Sequence, residues 1–141
     1  MLPEINDAKA EYTRDELLDE ICCDLGGRAA EIVFYGDKAG VTTGASSDLN
    51  AATRTAWAIV ARYGMGKRLM TLEDTALYGE GGKILHAEIS EILDYQLARA
   101  LRLIENNKPM VEALVEELMK RNSLTGKEIS EILKDFTCNT D

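Results

Sequence analysis

Histidine is nearly absent from these 141 residues: His86 stands alone. A hydrolytic zinc centre takes three protein ligands and keeps a fourth position open, and its common helical source is His-Glu-x-x-His. One histidine cannot supply that pair. No run approaches the roughly 18 apolar residues of a membrane span. The first residues, Met1 to Asp7, have neither the basic start nor the apolar segment of a secretory leader. Basic residues are scarce, 16 Lys and Arg against 25 Asp and Glu, for a formal net charge of -9. Nucleic acids and anionic lipid surfaces need clustered cations, so neither is expected as a partner, and no membrane contact is expected from the chain itself. The three cysteines, Cys22, Cys23 and Cys138, follow no disulfide spacing. They point to a reducing compartment and a cytoplasmic location. Cys22 and Cys23 are not a zinc knuckle, because neighbours on a helix point about 100° apart. Strand-like alternation is missing throughout, and no repeat or linker divides the chain.

What is present is helical. A hydrophobic content of 45% is enough for a real core. Met1 to Tyr12 read as an extended lead-in. Thr13-Arg14-Asp15-Glu16 is a capping box. It opens a helix whose apolar face carries Leu17, Leu18, Ile21, Cys22, Leu25, Ala29, Ile32 and Val33 and which runs through Gly26-Gly27 to Gly36. A second helix places Leu49, Ala52, Thr53, Ala56, Ile59, Val60 and Tyr63 on its buried stripe and stops at Gly64; Trp57 falls off the stripe and packs on a neighbouring segment. From Met65 to Lys83 a long Gly-rich connection follows. It is not a phosphate loop, since Gly81-Gly82-Lys83 is followed by Ile84 rather than Ser or Thr. The longest helix spans about Ile84 to Asn106, with Leu85, Ile89, Ile92, Leu93, Ala100, Leu103 and Ile104 inward and Tyr95 and Leu97 widening the stripe. Pro109 suits the start of a fourth helix with Val111, Leu114, Val115 and Leu118. Thr125-Gly126-Lys127-Glu128 is a second capping box before Ile129, Ile132, Leu133 and Phe136; the tail from Thr137 to Asp141 is polar and frayed. The expectation is an all-α fold, a bundle of about four to five helices, with residues 1–141 as one domain.

The most distinctive stretch is Val41-Thr42-Thr43-Gly44-Ala45-Ser46-Ser47-Asp48-Leu49-Asn50-Ala51-Ala52-Thr53, a small-residue loop entering a helix. Asp48 falls in the first helical turn, where free N–H groups and the helix dipole favour a carboxylate. It can serve as a helix cap, or it can aim a carboxylate at a metal. Nothing in the spacing brings Asp48, His86 and a cysteine together. The hydroxyls of Thr42, Thr43, Ser46 and Ser47 lack a positioned base, and turn or capping roles account for them.

Several stretches together resemble one family. They are Leu25-Gly26-Gly27-Arg28-Ala29-Ala30-Glu31, Val41 to Leu49, Ala52-Thr53, Tyr63-Gly64-Met65 and Leu124-Thr125-Gly126-Lys127-Glu128. In order and spacing they look like the peptidase domain (M41) of the FtsH family, the membrane-anchored, ATP-dependent zinc metalloproteases. The likeness covers about residues 2–136, with Leu2-Pro3-Glu4 similar to the segment after that family's zinc helix and Ile92 to Ile104 similar to its long helix. The resemblance implies that Asp48 occupies the position of the third zinc ligand. Ser47 stands where the family more often has Asn. The family's His-Glu-x-x-His helix lies upstream of the equivalent of Leu2, as do its ATPase domain and membrane anchor.

Two expectations follow. The chain is part of an FtsH-like ATP-dependent zinc metalloendopeptidase, supplying Asp48 and contacts to the substrate cleft and ring, inactive in isolation. Alternatively it is a stand-alone degenerate module for protein–protein interaction or regulation. Under the first, zinc is the family's cofactor but is not held by this chain alone, ATP acts only through another domain, and protein substrates belong to the full-length family. Self-association is expected, such as a dimer through the apolar face that the upstream helix would have covered, and the resemblance implies hexameric rings for the family. A metal enzyme built from His86 and the cysteines is a third, weaker idea.

Overall fold

A computed structural model describes residues 11–36, 40–72 and 79–136. Residues 1–10 of the expected lead-in, 37–39, 73–78 of the Gly-rich connection and the tail from 137 lie outside the described residues. Six α-helices run in chain order: α1 Arg14–Asp24, α2 Gly26–Tyr35, α3 Ser46–Trp57, α4 Glu80–Asn106, α5 Lys108–Arg121 and α6 Gly126–Leu133. A 3₁₀ turn, Thr43–Ala45, precedes α3, and a π-helical turn, Ala58–Arg62, extends it. No strand occurs among the described residues. The fold is all-α, as the periodicity indicates.

The first helix begins as its capping box dictates. The Thr13 hydroxyl accepts from the Glu16 N–H at 3.2 Å, and Glu16 accepts from the Thr13 N–H at 2.8 Å. The expected continuous helix through Gly26-Gly27 is two helices instead. The ladder tightens at Leu25, where α1 ends and α2 starts without a side-chain cap. Two successive glycines, each costing up to about 1 kcal/mol in a helix interior, are a natural place for that break. The division raises the helix count from the expected four or five to six.

The core gathers Leu17, Ile21 and Leu25 of α1, Ala52 and Ala56 of α3, Ile59, Val60 and Ala61 of the π turn, and Leu85, Ile89 and Ile92 of α4. Trp57 packs against this cluster from its edge, with the Arg62 guanidinium 5.2 Å from its ring centroid. A second cluster joins Cys22, Ala29 and Ala100. Four positions expected on the buried stripes, Leu49, Thr53, Tyr63 and Tyr95, face water instead, and Tyr95 is 66% exposed. The α3 stripe turns toward Ala45, Ala52 and Ala56, because small side chains let α3 sit close to α1.

The π turn ends at Tyr63, whose N–H donates to Ala58 O at 2.8 Å, and Gly64 then takes a left-handed φ of 62°. The turn that follows is tied down from both sides. Arg14 Nε donates to Met65 O at 3.0 Å, Glu88 accepts the Lys67 N–H, and Lys67 Nζ pairs with Glu91 at 2.7 Å. The long α4 starts earlier than its periodicity suggests and absorbs Gly81 and Gly82. Asn107 caps the far end, and Pro109 lies in the first turn of α5. The Thr125 hydroxyl accepts the Glu128 N–H at 3.2 Å to start α6, and the Glu128 carboxylate accepts from Arg121 at 3.0 Å and from the Thr125 hydroxyl at 3.2 Å. That pairing lowers the Glu128 carboxyl below its ordinary range, Arg121 contributing most.

Two outcomes test this packing. Ile21→Ala removes a side chain with no exposed surface and should destabilise the chain by about 3 kcal/mol in denaturant titration. Cys22 is buried and Cys23 exposed, and burial raises the Cys22 thiol above its ordinary range. Iodoacetamide followed by peptide mapping should modify Cys23 fast and Cys22 only under unfolding conditions.

Candidate metal-ligand junction

The loop entering α3 is held by two residues of α2. Arg28 and Glu31 lie three apart, a spacing that puts both on one helix face. Arg28 Nη2 donates to Thr42 O at 3.3 Å. Glu31 Oε2 accepts the Thr42 N–H, and its Oε1 accepts the Thr42 hydroxyl proton at 3.3 Å. The same hydroxyl oxygen accepts the Gly44 N–H at 3.1 Å. Thr42 is thereby engaged through its N–H, its C=O and its side chain. Just before it, Gly40 closes on α2, where an added Cβ would come 2.5 Å from Tyr35 O.

Beyond Thr42 the chain makes the 3₁₀ turn, with the Ser46 N–H donating to Thr43 O, and α3 begins. The N-cap residue is Ala45, which is buried and offers no side-chain acceptor. Neither Ser46 nor Asp48 caps the helix, so that reading of the junction does not hold. Asp48 lies in the first turn and is exposed. Its carboxylate forms no hydrogen bond or ion pair with the described residues, and Oδ2 is 3.9 Å from where a Cβ on Gly27 would lie. The carboxylate therefore faces the α1–α2 break from an open flank.

A second carboxyl shares this field. Asp24 ends α1, and burial raises it above the ordinary carboxylate range, with Glu20 and then Asp48 adding to the rise. His86 is exposed on α4. Among the described residues no three His, Cys, Asp or Glu side chains come together in a group able to hold a metal. Among the described residues Asp48 and His86 are thus not joined by Cys22 or Cys23, and Cys138 lies outside those residues. The donor set fits one ligand of a zinc centre, an exposed carboxylate with both oxygens available, and does not fit a whole one.

The model of peptidase family M41 matches residues 1–132. This chain belongs to peptidase family M41. The ATP-dependent zinc metalloprotease FtsH of Cupriavidus metallidurans is 37% identical over 146 residues, covering 94% of this chain and 22% of the relative. The ATP-dependent zinc metalloprotease FtsH 2 of Symbiobacterium thermophilum is 38% identical over 130 residues, covering 86% and 22%. The FtsH 1 protein of Methylacidiphilum infernorum, of the same description, is 33% identical, covering 88% and 21%. The chain thus spans about a fifth of the length of these curated relatives.

Sequence reasoning missed Arg28, Glu31 and Asp24 as parts of this junction. The first two carried a usable signal, an oppositely charged pair at i and i+3 beside two glycines. Their partner Thr42 lies 11 residues from Glu31 across a loop, and no periodicity reports that contact.

The raised Asp24 carboxyl has a testable sign. A carboxyl with a folded-state pKa above its unfolded value opposes folding when ionised, and this cost fades as pH falls through the folded pKa. Asp24→Asn should therefore raise Tm at pH 7, with the gain over wild type shrinking on acidification. A gain independent of pH would contradict the assignment.

Proposed function

We propose that this chain, as a single M41 domain over residues 1–141, is the helical part of an FtsH-like ATP-dependent zinc metalloendopeptidase and supplies the third zinc ligand through Asp48. The observation that carries the reading is an exposed, unengaged carboxylate in the first turn of α3, inside the M41 match and beside a loop held from α2. Zinc, where bound, polarises a peptide carbonyl and activates water. Asp48 would be its only ligand from the described residues. On this reading the chain is inactive alone, because the described residues bring no His-Glu-x-x-His pair and no complete ligand set to Asp48. ATP use belongs to regions outside this chain, and protein substrates are those of the longer enzymes. Among the described residues no helix is long and apolar enough to cross a membrane; membrane attachment would come from elsewhere in a longer protein, and the domain itself would work on the cytoplasmic side.

One observation favours the interaction-module reading beside it. Neither α5 nor α6 has a buried residue, and Val115, Leu118 and Met119 lie exposed along α5. An apolar helix face of this kind suits self-association, whether in a ring or in a regulatory complex.

Three measurements check the proposal. The purified chain should hydrolyse no casein in a chelator-sensitive manner, and detectable hydrolysis would sink the inactivity. Joined behind the His-Glu-x-x-His segment of the Cupriavidus metallidurans relative, the chain should take up zinc stoichiometrically, and Asp48→Asn should weaken that binding by about tenfold to a hundredfold. Unchanged zinc affinity in the substituted fusion would remove Asp48 from the ligand set. Light scattering tests association, with a strict monomer at high concentration counting against it.

A further inference from the structure

The start of α3 has no side-chain cap of its own, because Ala45 occupies the N-cap position. A helix start without a side-chain acceptor leaves its orientation to the segment that feeds it. That segment is held at one residue. Thr42 is extended, with φ -120° and ψ 175°, and gives its N–H and hydroxyl proton to Glu31 while its carbonyl receives Arg28. From Thr42 to Asp48 the chain has little freedom. The Thr42 hydroxyl oxygen holds the Gly44 N–H, Thr43 O holds the Ser46 N–H, and Ala45 is buried. Arg28 Nε is buried with no hydrogen-bond partner among the described residues, so the guanidinium meets the loop through Nη2.

We infer that Glu31 and Arg28 are positioning residues that act through Thr42 to aim the Asp48 carboxylate. The inference rests on Asp48 as a metal ligand for its purpose, but the aiming itself is a property of this chain. Glu31 contributes an acceptor pair. Its charge strengthens both hydrogen bonds, and glutamine at this position keeps one oxygen for the Thr42 N–H. Arg28 holds the Thr42 carbonyl through its Nη2 hydrogen bond. Thr42 passes both constraints into the 3₁₀ turn.

The test uses the 141-residue chain and NMR. In wild type the Thr42 and Gly44 amides should exchange slowly for an exposed loop, and the Asp48 Hα–Hβ couplings should report one dominant χ1 rotamer. Glu31→Ala should speed Thr42 amide exchange by about tenfold and average the Asp48 couplings. Glu31→Gln should restore most of both, whereas Glu31→Met, which fills the same space without an acceptor, should behave like Glu31→Ala; rescue by Met would show a merely space-filling role. Thr42→Val should speed exchange at Gly44 while sparing residue 42, and Thr42→Ser should resemble wild type. Asp48→Asn should leave Thr42 and Gly44 exchange unchanged. Should Glu31→Ala fail to fold, Thr42→Val and Glu31→Gln still decide the matter. Exchange and couplings within about twofold of wild type in the alanine and valine variants would overturn the inference. So would Asp48 couplings already averaged in wild type. Zinc affinity in the Asp48→Asn fusion stands apart, since its failure would remove the ligand and leave the exchange result untouched.

Discussion

Close approach of α1, α3 and α4 is the constraint on which the rest of the structure depends. Ile21, Ile59 and Leu85, one from each side of the bundle, are the large side chains buried without remainder. Around them the filling is small: Ala52, Ala56 and Ala61 show no exposed surface. Alanines at the contacts bring backbones near one another, and dense packing resists any shift of one helix against the next. The π turn belongs to this arrangement. Its wider ladder keeps Ile59, Val60 and Ala61 all inward before Gly64 reverses the chain.

That rigidity sets the stage for the junction. The break at Leu25 redirects α2, which packs on α4 and carries Arg28 and Glu31 toward the loop. Packing of α3 on α1 places Asp48 beside Gly27 and in the electrostatic field of Asp24. The site therefore combines two independent supports. One is apolar and fixes where α3 lies; the other is a charge-assisted set of hydrogen bonds and fixes how the chain enters it. The cost is a buried-side carboxyl at Asp24 and an Arg28 Nε without a partner among the described residues. Both lie at the junction itself, where local compromise is most often found.

Much of the fold was legible because helices announce themselves locally. Thr13 with Glu16 and Thr125 with Glu128 mark helix starts at the right residues. Spacings such as Leu85, Ile89 and Ile92 mark the inward face of α4. The errors share one cause. Leu49, Thr53, Tyr63 and Tyr95 satisfy a helical stripe, yet which edge of a stripe is covered depends on the partner helix and not on the helix itself. The break between α1 and α2 was visible as Gly26-Gly27, but a glycine pair inside a periodic pattern permits both a tight crossing and a change of direction.

By itself the sequence determined the helical class, the caps, the lack of a histidine pair for zinc and, through its motifs, the membership in family M41. These are local or compositional properties, encoded within a few turns of chain. Only the tertiary structure decided that Asp48, in the first turn its sequence position indicates, is exposed and caps nothing, that Ala45 leaves α3 without a side-chain acceptor, and that Arg28 and Glu31 reach Thr42. Those facts depend on how α2 lies against the loop. That placement is set by burial in the core, which sums contacts from distant parts of the chain and leaves no periodic trace in any one of them.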